Sequence, residues 1–270
     1  MLNDEFTASL ESYKLQGYII PNPAIVKTPE QIEGIRKSGK ITTEILDLLG
    51  KEIRPGVTTA QIDKLVYDYT TGRGAIPAPL NYNGFPRSVC TSVNNVVCHG
   101  IPSDSAVLKS GDIINVDVST IFNGYFSDAS RMYLVGEVTP SARRLVEVTK
   151  ECLELGTEQV KAFGSTNDIG RVIEPFANRN GYTVVRDLGG HGVGIKFHEE
   201  PHIDHFEKPG KGVLMLPGMV FTIEPMINEG GYNVKIARDK WTVTTRDDSL
   251  SAQWEYTVAV TKTGYDILAR

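Results

Sequence analysis

Apolar residues recur at helical spacing in four segments of the chain. The first begins at Thr28, a suitable N-cap, because Pro29 can take the first helical position and apolar side chains follow three or four residues apart. The last segment contains Pro175, which predicts a kink. The pattern therefore predicts helices that start at residue 29 and that span residues 58–74, 141–160 and 167–181.

Six other segments are rich in β-branched and aromatic residues, as strands are. They span residues 88–98, 112–119, 124–135, 183–188, 219–224 and 254–261. Two helices precede the first strands and two more precede the later ones, an order typical of an α+β chain. We therefore expect a mostly antiparallel sheet with helices on one face.

One predicted strand carries an unexpected acid, Asp117, among apolar residues. The dipeptide Asn123-Gly124 is a strong signal for a two-residue hairpin turn just after this strand. Counting outward from the turn places Asp117 and Asp128 on one face of the hairpin, as diagonal neighbours. Ile114, Val116 and Val118 take the opposite face and suit packing against helices, so the aspartate face is the predicted site face.

Two later acids follow the same alternation. Glu224 ends the stretch VFTIE, and Glu255 lies in WEYTVAV, each predicted at mid-strand and opposite to the large apolar residues. Any one of these acids alone fits an ordinary solvated strand position. If the four converge, each close pair repels by about 4 kcal/mol, so protons or a cation must lie among them.

His191 lies between two glycines and is the predicted fifth ligand of a metal centre. Four carboxylates and one imidazole form a hard, oxygen-rich donor set. This set suits Mn, Fe or Co, with Zn also compatible, and differs from a closed structural zinc site. Because so many carboxylates usually bridge, we expect two divalent metal ions.

Two other motifs match known patterns only in part. The stretch HEEPH, residues 198–202, has the letters of the zinc protease motif H-E-x-x-H, but Pro201 prevents the helix that this motif requires. The stretch GGHGVG lacks the glycine spacing of a dinucleotide-binding fingerprint and the helix that should follow. We therefore predict neither kind of site.

Length and composition fit one globular domain. The chain has 270 residues, with 28 Lys and Arg against 33 Asp and Glu, and the basic residues form no cluster that would predict a nucleic-acid partner. We expect neither a membrane span nor a targeting segment. Three cysteines without a CxxC pair indicate a reducing, cytoplasmic compartment.

Residues 1–28, which are polar and then proline-rich, are predicted to form an N-terminal arm before a single catalytic domain, residues 29–270.

The motifs together resemble those of the type I methionine aminopeptidases. They are NVDVS, FSDAS, GGHGVG, FHEEPHI, TIEP and QWEYTVAV, with CHGIP upstream. The stretch NYNGFPRSVCTSVNNVVCHGIP resembles the one that separates these enzymes from prolidases and aminopeptidase P. The resemblance implies a monomer with the pita-bread fold, in which two similar halves with a curved sheet and outer helices surround a dinuclear metal site.

The resemblance also implies the roles of the metal ligands. Asp117 would bind one ion, His191 and Glu224 would bind the other, and Asp128 and Glu255 would bridge the pair. The two divalent ions, Co, Mn, Fe or Zn, would activate the water that attacks the carbonyl carbon of an N-terminal methionine.

Further residues would act on the substrate. His99 and His198 would flank the peptide, with His198 bound to the carbonyl oxygen, and Glu224 would relay the proton. Each histidine taken alone would more often have a structural role, and the position of His99 and His198 in motifs of the family reverses that expectation. An apolar pocket would hold the methionine side chain, and its predicted walls are Tyr82, Phe85, Cys90, Phe197 and Trp241.

Three positions depart from the pattern of the family. Pro79 stands where some members have cysteine, Asn95 replaces the acid expected in NEV, and Ser119 takes the place of the usual threonine. None of them removes a ligand, but Ser119 is expected to alter the surroundings of the metal. His202 and His205 are expected at the surface or in support of the ligands.

We therefore expect a cytoplasmic, metal-dependent hydrolase that removes initiator methionine from nascent chains whose second residue is small. The arm is a candidate contact to the ribosome. Two alternatives stay open at this point: an Xaa-Pro aminopeptidase or prolidase of the same fold, and a catalytically inactive binding protein with that fold.

Overall fold

The computed structural model describes residues 4–270 and combines helices with antiparallel sheets. Within this range, two 3₁₀ segments, Pro23–Ile25 and Tyr82–Gly84, accompany five α-helices. The helices are α1 (Asp4–Leu15), α2 (Pro29–Glu52), α3 (Thr59–Gly72), α4 (Pro140–Thr157) and α5 (Asn167–Arg179).

Fifteen strands of the described chain form four sheets. The first five are β1 (Ile76–Pro77), β2 (Cys90–Val93), β3 (Val96–Cys98), β4 (Ile113–Phe122) and β5 (Tyr125–Leu134). The next five are β6 (Thr183–Val184), β7 (Gly190–Gly192), β8 (Glu199–Ile203), β9 (Val220–Ile223) and β10 (Met226–Asn228). The last five are β11 (Val234–Ile236), β12 (Val243–Thr245), β13 (Ser251–Gln253), β14 (Tyr256–Val260) and β15 (Tyr265–Ala269). The paired strands run antiparallel, which confirms the predicted α+β class.

The four predicted helices form where their sequence signals indicated. Thr28 and Thr58 each cap a helix by accepting from the backbone N–H three residues on, and the glutamine at that position bonds back to the cap. Pro175 lies inside α5. The sequence did not predict α1, because the apolar residues there lack a regular helical period.

The hairpin at Asn123-Gly124 has the predicted register. Strands β4 and β5 pair without a bulge from the turn to Ile113, and Asp128 lies opposite Ser119, two residues from Asp117. Both aspartates therefore share one face, as expected. On the other face, three apolar residues are fully buried against α2 and α3: Ile114, Val116 and Val118.

Two apolar cores lie on the sheet faces that point away from the acids. Helices α2 and α3 pack on the hairpin around Leu49, and α4 and α5 pack on the later strands around Phe221. An isolated bridge between Ser130 and Glu255 joins the hairpin to the sheet ordered β15-β14-β9-β7-β8. The two helical layers thus lie outside the strands, and the acids lie between the two halves.

The sequence missed most short strands of the later half. Strands of three to five residues, such as β7, β10 and β13, are too short to show an alternation. The prediction was also wrong in placing Glu224 and Glu255 at mid-strand. Strand β9 ends at Ile223 and β14 begins at Tyr256, so each glutamate lies at a strand end.

The described part of the predicted arm lies against the second core. Ile19 donates a backbone hydrogen bond to Gly212 and accepts one from Leu214. Side chains between Leu10 and Val26 pack on the same core. Among residues 4–270, the structure has no helix with the length and apolar character needed to cross a membrane.

Candidate metal centre and substrate cavity

The five predicted metal ligands line one cavity. Asp117 and Asp128 come from the β4–β5 hairpin, His191 from β7, and Glu224 and Glu255 from the ends of β9 and β14. His191 Nε2 lies 3.7 Å from Asp128 Oδ2 and 3.7 Å from Glu224 Oε1. One donor atom from each of Asp128, His191 and Glu255 fits within 4.8 Å of the others. The pairing of distant strands therefore produces a compact cluster of donors.

Hydroxyl and amide groups orient the acids. Ser119 Oγ donates to Asp128 Oδ1 at 2.8 Å. Thr222 Oγ1 donates to Glu224 Oε1 at 2.7 Å, and Gln253 Nε2 donates to Glu224 Oε2 at 3.0 Å. Thr222 and Gln253 were not predicted as site residues. A signal was present, because each lies two positions before an acid and two-residue spacing places side chains on one face of a strand.

His191 is held with one ring nitrogen facing the acids. Its Nδ1 lies 3.0 Å from the Gly192 carbonyl oxygen, so Nδ1 carries the proton and the lone pair of Nε2 faces Asp128 and Glu224. The flanking glycines are required by close strand contact, since a Cβ at Gly190 or Gly192 would collide with a backbone carbonyl of the neighbouring strand.

Crowding and burial shift the titration of the cluster. Burial raises the pKa of Asp117 to about 6 and that of Glu224 to about 8. Burial, followed by the charges of neighbouring acids, raises the pKa of Asp128 and that of Glu255 well above their usual range. Burial lowers the pKa of His191 to about 3. Asp128, Glu224 and Glu255 therefore retain protons near neutral pH unless a cation replaces them.

One buried oxygen in the cluster supports cation binding. Asp117 Oδ1 meets no hydrogen-bond donor within residues 4–270. A buried polar atom without a partner is costly, and a divalent ion held by the carboxylates and His191 Nε2 would satisfy it. Because the donors are oxygens and one imidazole, the residues present fit divalent Mn, Fe, Co or Zn.

The cavity next to the acids has a volume of about 350 Å³. Two aromatic pairs build much of its wall: the Phe85 and Trp241 rings lie 5.2 Å apart, and the Tyr82 and Phe197 rings lie 4.9 Å apart. All five predicted pocket residues line it, and three apolar residues that the sequence analysis missed join them. The missed residues are Cys98, the first residue of CHGIP, and Leu188 and Met226, which belong to no shared motif.

Two of the three departures from the family pattern border the cavity. Pro79 and Ser119 line it, and Ser119 binds a candidate metal ligand as described above. Asn95 lies elsewhere and donates from Nδ2 to Asp248 Oδ1 at 3.3 Å, on the exposed surface. The substitution at Asn95 therefore leaves the cavity wall unchanged.

Both predicted catalytic histidines border the cavity. The His198 ring lies 4.2 Å from the His191 ring, and His198 Nδ1 lies 3.0 Å from the Tyr82 hydroxyl. His99 adopts a left-handed backbone with φ of 56°, and its ring lies 6.3 Å from that of Trp241. Burial lowers the pKa of His198 to about 4 and also lowers the pKa of His99, so both imidazoles are neutral at pH 7.

The remaining histidines near the site differ in burial. His205 is buried, and its Nε2 accepts the backbone N–H of Glu224 at 3.0 Å, so it supports the backbone at that acid. His202 lies at the cavity rim with a half-exposed side chain. The stretch HEEPH forms β8 and not a helix, which confirms that it is not a zinc protease helix.

In a chelating buffer, the free energy of unfolding is expected to fall as pH rises from about 6.5 to about 8. The pKa of Glu224 is raised in the folded state, so its stabilising proton is lost as pH passes through about 8. The histidines with lowered pKa titrate near 6.5 in the unfolded chain, so the stability that they add as pH rises is largely complete by about pH 7.5, and the decline should be clearest above that pH. Urea unfolding at several pH values measures the slope.

Saturating Mn²⁺ is expected to remove this decline, because the ion replaces the protons. Glu224→Gln, which cannot ionise, is the matched control and should make the slope shallower without metal, because Asp128 and Glu255 still contribute to it. An equal slope with and without Mn²⁺ would contradict cation binding at these acids.

Comparison with known proteins places these features in a family. A model of metallopeptidase family M24 matches residues 33–262. Methionine aminopeptidase A of Synechocystis is 50% identical over 238 residues, which cover 88% of this chain and 94% of that protein. The solved methionine aminopeptidase of Rickettsia prowazekii superposes with a TM-score of 0.89 at 46% identity and covers 91% of this chain and 99% of its own.

A more distant neighbour shows how widely the architecture is shared. The X-Pro aminopeptidase of Thermotoga maritima superposes with a TM-score of 0.72 at 21% identity, over 92% of this chain and 62% of that one. This likeness concerns the fold alone and confirms the predicted pita-bread architecture. From the matched residues 33–262 and from identity to full-length relatives, this chain belongs to metallopeptidase family M24, among its methionine aminopeptidases.

Proposed function

We propose that this enzyme removes N-terminal methionine from polypeptides whose second residue is small. The observation that supports this most directly is an aromatic, apolar cavity placed against the cluster of acids and His191. An unbranched methionine side chain fits irregular apolar walls, and its sulfur makes favourable contacts with aromatic edges. The rings of Phe85, Trp241 and Tyr82 offer such contacts.

The proposed metal ligands are Asp117 for one ion, His191 and Glu224 for the other, and Asp128 and Glu255 shared by both. Support comes from the convergence of their donor atoms and from the unpartnered Asp117 Oδ1. Two divalent ions bound there would lower the pKa of water and polarise the scissile carbonyl. Because the donor types suit Mn, Fe, Co and Zn alike, all four are candidates.

His198 is proposed to donate a hydrogen bond to the scissile carbonyl oxygen. When its Nδ1 accepts from the Tyr82 hydroxyl, Nε2 carries the proton and is the donor. A donor aimed at this oxygen stabilises the negative charge that develops on it. Glu224, whose two oxygens are held by Thr222 and Gln253, is proposed to carry the proton to the leaving amine. His99 is proposed to orient the peptide from the wall near Trp241.

Peptide hydrolysis after metal removal and replacement tests this function. The stripped enzyme should be inactive, and Mn²⁺, Fe²⁺, Co²⁺ or Zn²⁺ should restore release of methionine from Met-Ala-Ser. Met-Leu-Ser should react more slowly, and a tripeptide with proline second and no methionine should not react. Cleavage of the proline peptide in preference to Met-Ala-Ser, or no cleavage with any of the metals, would contradict the proposal.

The setting of the reaction is also part of the proposal. Three buried free thiols, at Cys90, Cys98 and Cys152, support action in the reducing cytoplasm. We propose that the enzyme acts there as a monomer on nascent chains, with the N-terminal arm as a contact to the ribosome. Co-sedimentation with ribosomes, compared between the full chain and one lacking residues 1–17, tests the contact, and equal binding would exclude it.

A further inference from the structure

A buried lysine near the end of the arm contacts Glu199, the residue that follows the loop carrying His198. The Lys27 side chain is 1% exposed, and its Nζ lies 2.5 Å from Glu199 Oε2. Nζ also donates to the Ile25 carbonyl oxygen at 3.1 Å. A buried ammonium group is costly without a partner, so these two contacts define one position for the side chain.

The backbone on either side of Lys27 is attached to the body of the protein. Its N–H donates to the Gly218 carbonyl oxygen at 2.8 Å, and Val26 forms an antiparallel bridge with Met219. Met219 directly precedes β9, the strand that leads to Glu224. Lys27 therefore has a fixed relation to an element that presents a candidate metal ligand.

Glu199 extends this attachment to the loop of residues 193–198. Its Oε1 accepts the backbone N–H groups of Ile195 and Lys196, each at 2.7 Å. The next two residues are Phe197, a wall of the cavity, and His198. Hydrogen bonds to a charged acceptor are about twice as strong as neutral ones, so the carboxylate restrains the backbone just before both side chains.

We propose that Lys27 is a positioning residue, which acts through Glu199 to place Phe197 and His198 against the cluster of acids. This inference rests on the role proposed above for His198. Lys27 itself does not line the cavity, so it acts at a distance from the peptide. A misplacement of 1 Å at a reacting group can lower the rate about 100-fold, so a loosened loop should be detected readily.

Three variants separate positioning from stability. Lys27→Met keeps the length of the side chain but leaves Glu199 as a buried unpaired anion, and Glu199→Gln leaves Lys27 as an unpaired cation. The double variant has neither charge, so it should recover most of the stability that the single variants lose. It keeps an amide oxygen for the loop N–H groups but still lacks the ion pair to the arm.

The measurements are kcat and KM on Met-Ala-Ser, Mn²⁺ affinity, urea unfolding, and hydrogen exchange at the amides of residues 195 and 196. We expect kcat to fall about 10- to 100-fold in Lys27→Met and to stay at least about tenfold low in the double variant. Mn²⁺ affinity should stay within about twofold, and the two amides should exchange faster. Lys27→Arg, which keeps the charge, should recover part of kcat.

Wild-type kcat in the double variant, together with recovered stability, would mean that the pair is only structural and would overturn the inference. An equal loss of Mn²⁺ affinity would do the same. The matched control is Arg36→Met, which breaks the half-exposed Arg36–Asp266 pair and should leave kcat unchanged. If the wild type releases no methionine, the proposed function fails, and hydrogen exchange still shows whether Lys27 holds the loop.

Discussion

Glu255→Gln is expected to lower kcat for methionine release about a thousandfold or more. Glu255 is 1% exposed and lies with Asp128 and His191 in the compact group of donors. Glutamine has nearly the same shape, but its amide offers the metal ions one neutral oxygen, whereas the carboxylate of Glu255 offers two charged ones. Metal ions contribute several kcal/mol of charge stabilisation in the transition state, and each 1.36 kcal/mol changes the rate tenfold. Steady-state hydrolysis of Met-Ala-Ser with saturating Mn²⁺ measures the loss.

The same substitution is expected to stabilise the metal-free protein at pH 8. The pKa of Glu255 is raised by burial and by Asp128, so its ionisation opposes folding, and a neutral amide removes that cost. A loss of activity with a gain of stability distinguishes a metal ligand from a structural residue. Glu151→Gln, on the exposed surface of α4, is the matched control and should change neither property. Turnover within about tenfold of wild type would refute the role of Glu255 as a bridging ligand.

The second large effect is expected from His198→Ala, which should lower kcat about 100- to 1,000-fold. The substitution removes the proposed donor to the carbonyl oxygen and leaves the five proposed metal ligands in place. Mn²⁺ affinity measured by calorimetry should therefore stay close to that of the wild type. The pKa of His198 is lowered to about 4, so the neutral donor persists and its titration should not appear in the rate between pH 6 and pH 8.

Two further variants make the test specific. Tyr82→Phe removes the hydroxyl that lies 3.0 Å from His198 Nδ1. A smaller loss of kcat is expected, because the His198 imidazole stays in place and only the hydrogen bond that fixes its tautomer is lost. His202→Ala changes a histidine at the cavity rim and should have little effect. Equal losses in His198→Ala and His202→Ala, or a marked loss of metal affinity in His198→Ala, would contradict the donor role.

Much of the local structure could be predicted from the sequence. Thr28 with Pro29 marked the start of α2, and Asn123-Gly124 marked a hairpin whose register follows from the turn. Because side chains alternate along a strand, the shared face of Asp117 and Asp128 followed from counting alone. The motifs around these residues also led to the family that the comparisons show.

The positions of other site residues depended on tertiary contacts. Glu224 and Glu255 lie at strand ends and not at mid-strand, and the short strands near them carry no periodic signal. Leu188 and Met226 joined the cavity wall without belonging to a motif. Nothing local in the sequence connects Lys27 with Glu199, which lie 172 residues apart.

The sequence by itself determined which residues begin helices, which turn closes the hairpin and which face of it carries the acids. These features depend on neighbours within a few positions, where backbone geometry and side-chain chemistry decide the outcome. Only the tertiary structure decided how far the acids lie from His191, which groups hold them and which further residues enclose the cavity. Those distances are set by pairing and packing between segments far apart in the chain, and both depend on the whole fold.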